Sequence, residues 1–293
     1  MTCELQGHRG ARGLFPENTV GGFAAVRALG VDAIELDVGI TRDGVAAVFH
    51  DIALGGDVVR GPDGAWLEGE GPLIRDLTLA ELARYDVGRL RPGSAYAATH
   101  AAQVPADGAR IPTLADTFAA TPGVRISVEL KTVPTRPGST AAPAEMAERV
   151  LEVARQCGAL GRIDIRSFDW RGLHYLRGRH PDVPLTFLTA ADTVAESALW
   201  WDGIALAACG GSVARAVARH GAGVGWAPAF RDLAPAHIEE AHALGLSVQP
   251  WTVNAPADMD RLLAWGVDGL CTDRPDLARE AFARAGLPLP APR

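Results

Sequence analysis

Short β-rich runs alternate with helix-length segments along most of this chain, and that alternation leaves few folds open. The candidate strands are Leu5–His8, Ala33–Val38, Val45–His50, Arg125–Leu130, Ile163–Phe168, Leu185–Leu188, Gly223–Trp226, Ser247–Val253 and Gly269–Asp273. Helical segments separate most of them. One runs from about Asn18 to Leu29 with Val20, Phe23, Ala24 and Ala28 on one face; others are Glu145–Cys157, His237–Leu244 and Ala257–Trp265. Strands joined through helices pair in parallel and are covered by those helices. The expectation is an α/β fold, a (β/α)8 TIM barrel, and 293 residues suit a single domain of that kind, 1–293.

A closed barrel takes eight strands, one fewer than the candidates. The surplus run is Val45–His50. It follows Asp43-Gly44, a two-residue hairpin signal, with no room for a helix between it and the preceding strand. It is expected to fold back as a β-hairpin arm on strand two, with His50 opposite Asp37. Residues 52–110 then break the rhythm: they are rich in Gly, Pro, Asp and Arg, with one short helix near Leu79–Ala83. A plain loop of that length does not suit a compact domain, so the stretch reads as an insertion of roughly 60 residues on the catalytic face. It is expected to shape substrate choice rather than supply an acid or base. The tail from Gly286, with Pro288, Pro290 and Pro292, is expected to fray.

Charge removes one class of partner. The net charge is −7, there is no basic run, and Lys131 is the only lysine, so nucleic acid is excluded as a partner. Cys3, Cys157, Cys209 and Cys271 follow no zinc or redox spacing and read as buried free thiols. No apolar stretch is long enough to span a membrane. No signal peptide precedes Gln6-Gly7-His8, which predicts a cytoplasmic chain, or a periplasmic or secreted one if a leader has been removed. A homo-oligomer stays open.

Barrel enzymes hold their reacting groups at the C-terminal ends of strands. Those ends here carry His8-Arg9, Glu35-Leu36-Asp37, His50-Asp51, Glu129-Leu130-Lys131, Phe168, Trp226, Trp251 and Asp273. Side chains alternate along a strand, so Glu35 and Asp37 share a face, as do Glu129 and Lys131. Three carboxylates crowded together call for a hard divalent cation, Mg²⁺ or Ca²⁺, held by Glu35, Asp37 and Glu129. His8 and His50 would flank it as general base and general acid. Arg9 and Lys131 add positive charge suited to a phosphate. Phe168 and Trp251 are candidates for substrate binding, and both Trp226 and Trp251 are open between pocket wall and core. Glu17 is open between substrate binding and capping the first helix, and capping also explains Asn18. The other six histidines read as structural or solvated.

The ordered series His8-Arg9-Gly10, Pro16-Glu17-Asn18-Thr19, Glu35-Leu36-Asp37-Val38, Thr41-Arg42-Asp43-Gly44, Phe49-His50-Asp51, Ile111-Pro112-Thr113-Leu114, Glu129-Leu130-Lys131, Ser167-Phe168, Trp251-Thr252-Val253-Asn254 and Thr272-Asp273 resembles the glycerophosphodiester phosphodiesterase family over nearly the whole chain. The resemblance implies hydrolysis of small glycerophosphodiesters to sn-glycerol 3-phosphate and an alcohol. It also implies a divalent metal on Glu35, Asp37 and Glu129, an acid–base pair in His8 and His50, and phosphate contacts from Arg9 and Lys131. Alternatives are a lysophospholipase D-type activity on lipids, a Schiff-base aldolase using Lys131, and a binding module without activity.

Overall fold

The computed structural model describes residues 3–221 and 223–293; the ends of the single-domain reading at residues 1 and 2, and residue 222, lie outside them. In chain order the strands are β1 (Glu4–Gly7), β2 (Ala33–Ile40), β3 (Ala46–Val48), β4 (Ala53–Gly55), β5 (Glu70–Leu73), β6 (Arg125–Leu130), β7 (Ile163–Ser167), β8 (Leu185–Thr189), β9 (Gly225–Pro228), β10 (Ser247–Val248) and β11 (Gly269–Thr272). Eight of these lie side by side in the order β10-β9-β8-β7-β6-β2-β1-β11, every neighbouring pair parallel. Backbone hydrogen bonds span the remaining seam: Asp268 N to Val248 O at 2.9 Å, Cys271 N to Pro250 O at 3.0 Å and Val253 N to Cys271 O at 2.9 Å. The ring is the TIM barrel that the alternation predicts.

Packing follows from the local patterns. Helix Pro143–Gln156 opens on a proline in its first turn and buries Met146, Ala147, Val150, Leu151 and Ala154, one stripe at helical spacing. The barrel strands are buried on both faces, as a helix-covered parallel sheet requires. In the barrel interior lies Arg166, 1% exposed, donating to Ser127 Oγ at 2.7 Å, Gln6 Oε1 at 3.2 Å and Asp164 Oδ2 at 3.3 Å. These partners hold the two terminal nitrogens of a buried cation that would otherwise cost several kcal/mol, while its Nε has no partner among the described residues.

The surplus strand folds back as expected, since β3 pairs antiparallel with β2, but its register differs by one residue. Val38 faces Val48, Gly39 faces Ala47 and Ile40 faces Ala46. The turn is a three-residue loop, Arg42-Asp43-Gly44, closed by Thr41 N to Val45 O at 3.0 Å, with Gly44 at φ 78°. A left-handed glycine ending such a loop is a recognised hairpin solution, and it adds one residue to the two-residue turn predicted. Asp37 therefore lies opposite Phe49, whose N donates to Asp37 O at 3.0 Å. His50 falls one position beyond, where the arm ends.

Two other expectations are corrected. The first helix begins at Val20, because Thr19 is its N-cap and accepts from Gly22 N at 3.1 Å. The C-terminal tail is tied down: Arg279 Nη1 donates to Gly30 O at 2.8 Å and Pro290 O at 2.6 Å. Residues 52–110 hold the β4–β5 pair and short helices Leu79–Leu82 and Ala95–Thr99. They share with the arm an apolar cluster of Ala47, Phe49, Leu54, Val59, Leu82 and Ile111. All four cysteines are free, and Cys157 is exposed rather than buried.

Candidate active site

Glu35, Asp37 and Glu129 come together: one carboxylate oxygen from each lies within 4.8 Å of the others, and all three residues are buried. Each is on a barrel strand, Asp37 beside Glu129 in the β2–β6 register. At such a distance each charged pair repels by about 3 kcal/mol at an effective dielectric near 20. The cations present are unevenly shared. Lys131 Nζ is 2.7 Å from Glu129 Oε1 and 3.3 Å from Asp37 Oδ1, and Arg9 Nε is 3.5 Å from Asp37 Oδ2. Among the described residues, Glu35 receives only the Arg9 backbone N–H, at 3.0 Å, and His8 Nε2 stands 3.9 Å away.

The ionisation pattern follows. Burial pushes the Glu35 carboxyl up, and Asp37 and Glu129 push it further. Burial would also raise Asp37, but Lys131, His50 and Arg9 hold it well below the usual carboxylate range. Burial disfavours the charged Lys131, yet Glu129 and Asp37 outweigh it and raise its pKa. A lysine held as an ammonium is no Schiff-base nucleophile. Asp37 Oδ1 is in ion-pair range of Lys131 but outside hydrogen-bond geometry, so it remains a buried oxygen without a donor. A trio of carboxyl oxygens, one of them without a donor and one whose charge is disfavoured by its neighbours, is a donor set that suits a hard divalent cation.

The two histidines are held differently. His8, at the end of β1, sets Nδ1 2.6 Å from Asp273 Oδ1. Asp273 is itself fixed by Arg12 Nε at 2.7 Å and Asn254 Nδ2 at 2.7 Å. Burial would raise Asp273, but His8 and Arg12 hold it far below the usual range. An ionised Asp273 places the ring proton on Nδ1 and leaves His8 Nε2 as an acceptor facing the carboxylates. Burial, then Arg12, pushes His8 down to about 4. His50 ends the arm with its side chain 32% exposed and its Nδ1 2.6 Å from Asp51 Oδ1.

Arg9 sits at φ 49°, and its Nη1 donates to Glu17 Oε1 at 2.8 Å. Glu17 also accepts a hydrogen bond from the Tyr96 hydroxyl. Asn18, at φ 53°, donates to Asp37 Oδ2 at 2.9 Å. Neither Glu17 nor Asn18 caps the helix, because Thr19 does. A cavity of about 150 Å³ is lined by His8, Arg9, Glu35, His50, Glu129 and Arg166, with Phe168 and Trp251 as an aromatic wall. Those rings meet edge to face at 5.3 Å. A second cavity of about 440 Å³ shares Arg9, Arg12 and His50 and runs beneath the insertion past Asp51, Arg91 and Tyr96. Trp226 lines neither; it is buried and donates to Thr189 Oγ1 at 2.9 Å.

Sequence reasoning named Asp51 and Asp273 at strand ends without a task, and it missed Arg12 and Tyr96. Arg12 was findable as a second arginine one turn beyond His8-Arg9. Tyr96 is distant in sequence and carries no local signal.

The model of the glycerophosphoryl diester phosphodiesterase family matches residues 8–277. The chain belongs to that family. A glycerophosphodiester phosphodiesterase of Caldanaerobacter subterraneus subsp. tengcongensis is 27% identical over 95% of this chain and 97% of its own. One from Bacillus subtilis is 29% identical over 92% and 83%. A solved structure from Silicibacter pomeroyi, assigned to the same family, is 36% identical, covers 98% and 95%, and superposes with a TM-score of 0.88. An Oleispira antarctica phosphodiesterase, solved in complex with the product sn-glycerol-3-phosphate, shares the fold at 21% identity and a TM-score of 0.69, over 96% and 97%. The chain is an enzyme, a phosphoric diester hydrolase acting on glycerophosphodiesters, and the aldolase and binding-module readings fall. No helix among the described residues is long and apolar enough to cross a membrane.

Proposed function

We propose that this enzyme hydrolyses small glycerophosphodiesters to sn-glycerol 3-phosphate and an alcohol, with a divalent cation, Mg²⁺ or Ca²⁺, held by Glu35, Asp37 and Glu129. The observation that carries the reading is the buried carboxylate trio between two histidines, with Asp37 Oδ1 lacking a donor. When bound, the cation supplies charge neutralisation at the phosphate oxygens. Arg9 and Lys131 complete that neutralisation from the protein side, and Glu17 holds the Arg9 guanidinium in place. Phe168 and Trp251 pack the glycerol moiety and exclude water from one side.

His8 is the base. Its Nε2 is a free acceptor because Asp273 fixes the proton on Nδ1, and it takes the proton from the attacking hydroxyl. His50 is the acid that protonates the departing alcohol; it lines both the small cavity and the larger one. If the glycerol 2-hydroxyl attacks first, a cyclic phosphate forms and the histidines exchange roles as water opens it. The whole chain works as one barrel domain, with 52–110 as an insertion on the catalytic face. The test is release of sn-glycerol 3-phosphate from a panel of glycerophosphodiesters, with and without EDTA. Turnover that stops with chelator supports the reading, and absence of product from every diester refutes it.

A further inference from the structure

The insertion hydrogen-bonds to the loop that follows β1 through one short segment, residues 94–104. Helix Ala95–Thr99 carries Tyr96 onto the loop that follows β1. Its hydroxyl donates to Glu17 Oε2, accepts from Arg12 Nη1 at 3.0 Å and lies 3.5 Å from Arg9 Nη1. Nearby, Gln103 Nε2 donates to Arg12 O at 2.7 Å, and Val104 N donates to Leu14 O at 2.8 Å. His100, itself buried, packs edge-on against the Tyr96 ring at 4.7 Å. The segment is thus tied to the backbone of the β1 loop as well as to its side chains.

From Arg12 the path continues inward. Arg12 Nε donates to Asp273 Oδ1 at 2.7 Å, and that same oxygen takes His8 Nδ1 at 2.6 Å. Arg12 spans two partners, so the phenol at one end of its guanidinium fixes how the other end meets Asp273. Burial, with Glu17 beside it, pushes the Tyr96 hydroxyl up, so it keeps the proton it donates.

We propose that Tyr96 is a positioning residue for proton transfer: its hydroxyl locks Arg12 against Asp273 and so holds the His8 ring with Nε2 facing the carboxylates. This rests on the reading of His8 as the base. The insertion then takes part in catalysis while supplying neither acid nor base. A merely structural tyrosine would lose stability with its hydroxyl and leave turnover intact.

The experiment uses the full-length, metal-supplemented enzyme and compares Tyr96→Phe, Arg12→Gln, the double variant and His8→Ala. The substrates are sn-glycero-3-phosphocholine and the p-nitrophenyl diester of glycerol 3-phosphate. Tyr96→Phe should lower kcat about 10-fold with KM changed less than about 3-fold, the signature of lost transition-state geometry. The loss should be the same for both substrates, because an easier leaving group does not relieve a misplaced base. The double variant should be no worse than Arg12→Gln alone within about 3-fold, since the two residues act along one path. An unchanged kcat, an effect on KM alone, a loss that vanishes with p-nitrophenol, or losses that multiply in the double variant would each overturn the proposal. His8→Ala separates the two failures. Full turnover there sinks the reading of His8, whereas a crippled His8→Ala beside an unaffected Tyr96→Phe sinks only the role of Tyr96.

Discussion

Two histidines in this molecule, His8 buried and His220 half-buried, are pushed to about 4, and they lie in unlike surroundings. His8 opens onto the carboxylate cavity. His220 lies in the outer layer, stacked on Phe187 at 4.4 Å and set edge-on to Trp170 at 5.7 Å, with Nε2 3.2 Å from His174 Nε2. Burial is the first cause of both shifts; Arg12 follows for His8, and His174 with Arg177 and Arg219 for His220. A perturbed imidazole is therefore no mark of function by itself. What distinguishes His8 is direction: a carboxylate on one nitrogen, and the other nitrogen aimed into a cavity lined by Glu35, Glu129 and Arg9.

The sharpest way to break that comparison is to remove each ring. His8→Ala should lower kcat by about 10³-fold, within the span expected for a positioned acid–base group. His220→Gln should leave kcat within about 2-fold, as expected for a substitution that touches no reacting group. Equal losses in steady-state assays of the two variants would dissolve the distinction. Next comes His50, the proposed acid. His50→Ala should cost about 10²-fold on a natural diester and recover markedly with a p-nitrophenyl leaving group, which needs no proton. His8→Ala should recover less; the reverse order would swap their roles. Asp273→Asn should cost about 10-fold in kcat through a loosened His8, with metal affinity unchanged. A metal titration alongside the kinetics checks that separation.

The smallest effect concerns stability. The folded pKa of His220 lies below the ordinary value of 6.5, so between 6.5 and about 4 the unfolded chain binds a proton that the folded chain refuses. Its contribution is fully present above pH 6.5 and is lost as pH falls towards 4. Wild-type denaturation midpoints should drop across that window, and His220→Gln should flatten part of the drop. A slope untouched by the substitution would mean that His220 is not pushed down in the folded protein.

Much of this was legible beforehand for physical reasons that also explain the misses. Alternation along a strand puts Glu35 with Asp37 and Glu129 with Lys131 on common faces, and the barrel's geometry brings those strand ends together. The arm was legible from Asp43-Gly44, but its register was not, because the loop closes one residue earlier, at Arg42, with Gly44 left-handed. The support around His8 was largely hidden. Arg12 and Asp273 meet across nearly the full length of the chain, and Tyr96 arrives from a segment whose Gly- and Pro-rich sequence shows no period to read. Helix capping was misassigned because Glu17, Asn18 and Thr19 all suit a helix start, and only the fold shows that two of them are spent on Arg9 and Asp37.

The central claim is that Glu35, Asp37 and Glu129 hold a divalent cation on which turnover depends. The most direct test measures bound metal and product release together, on protein dialysed against chelator and then titrated with Mg²⁺ or Ca²⁺. Wild type should lose turnover on dialysis and regain it as about one cation binds per chain. His8→Ala should bind that cation while staying inactive, and Asp37→Asn should neither bind it nor turn over, because a lost anionic ligand weakens the whole site. Full turnover by dialysed, metal-free wild type would contradict the account.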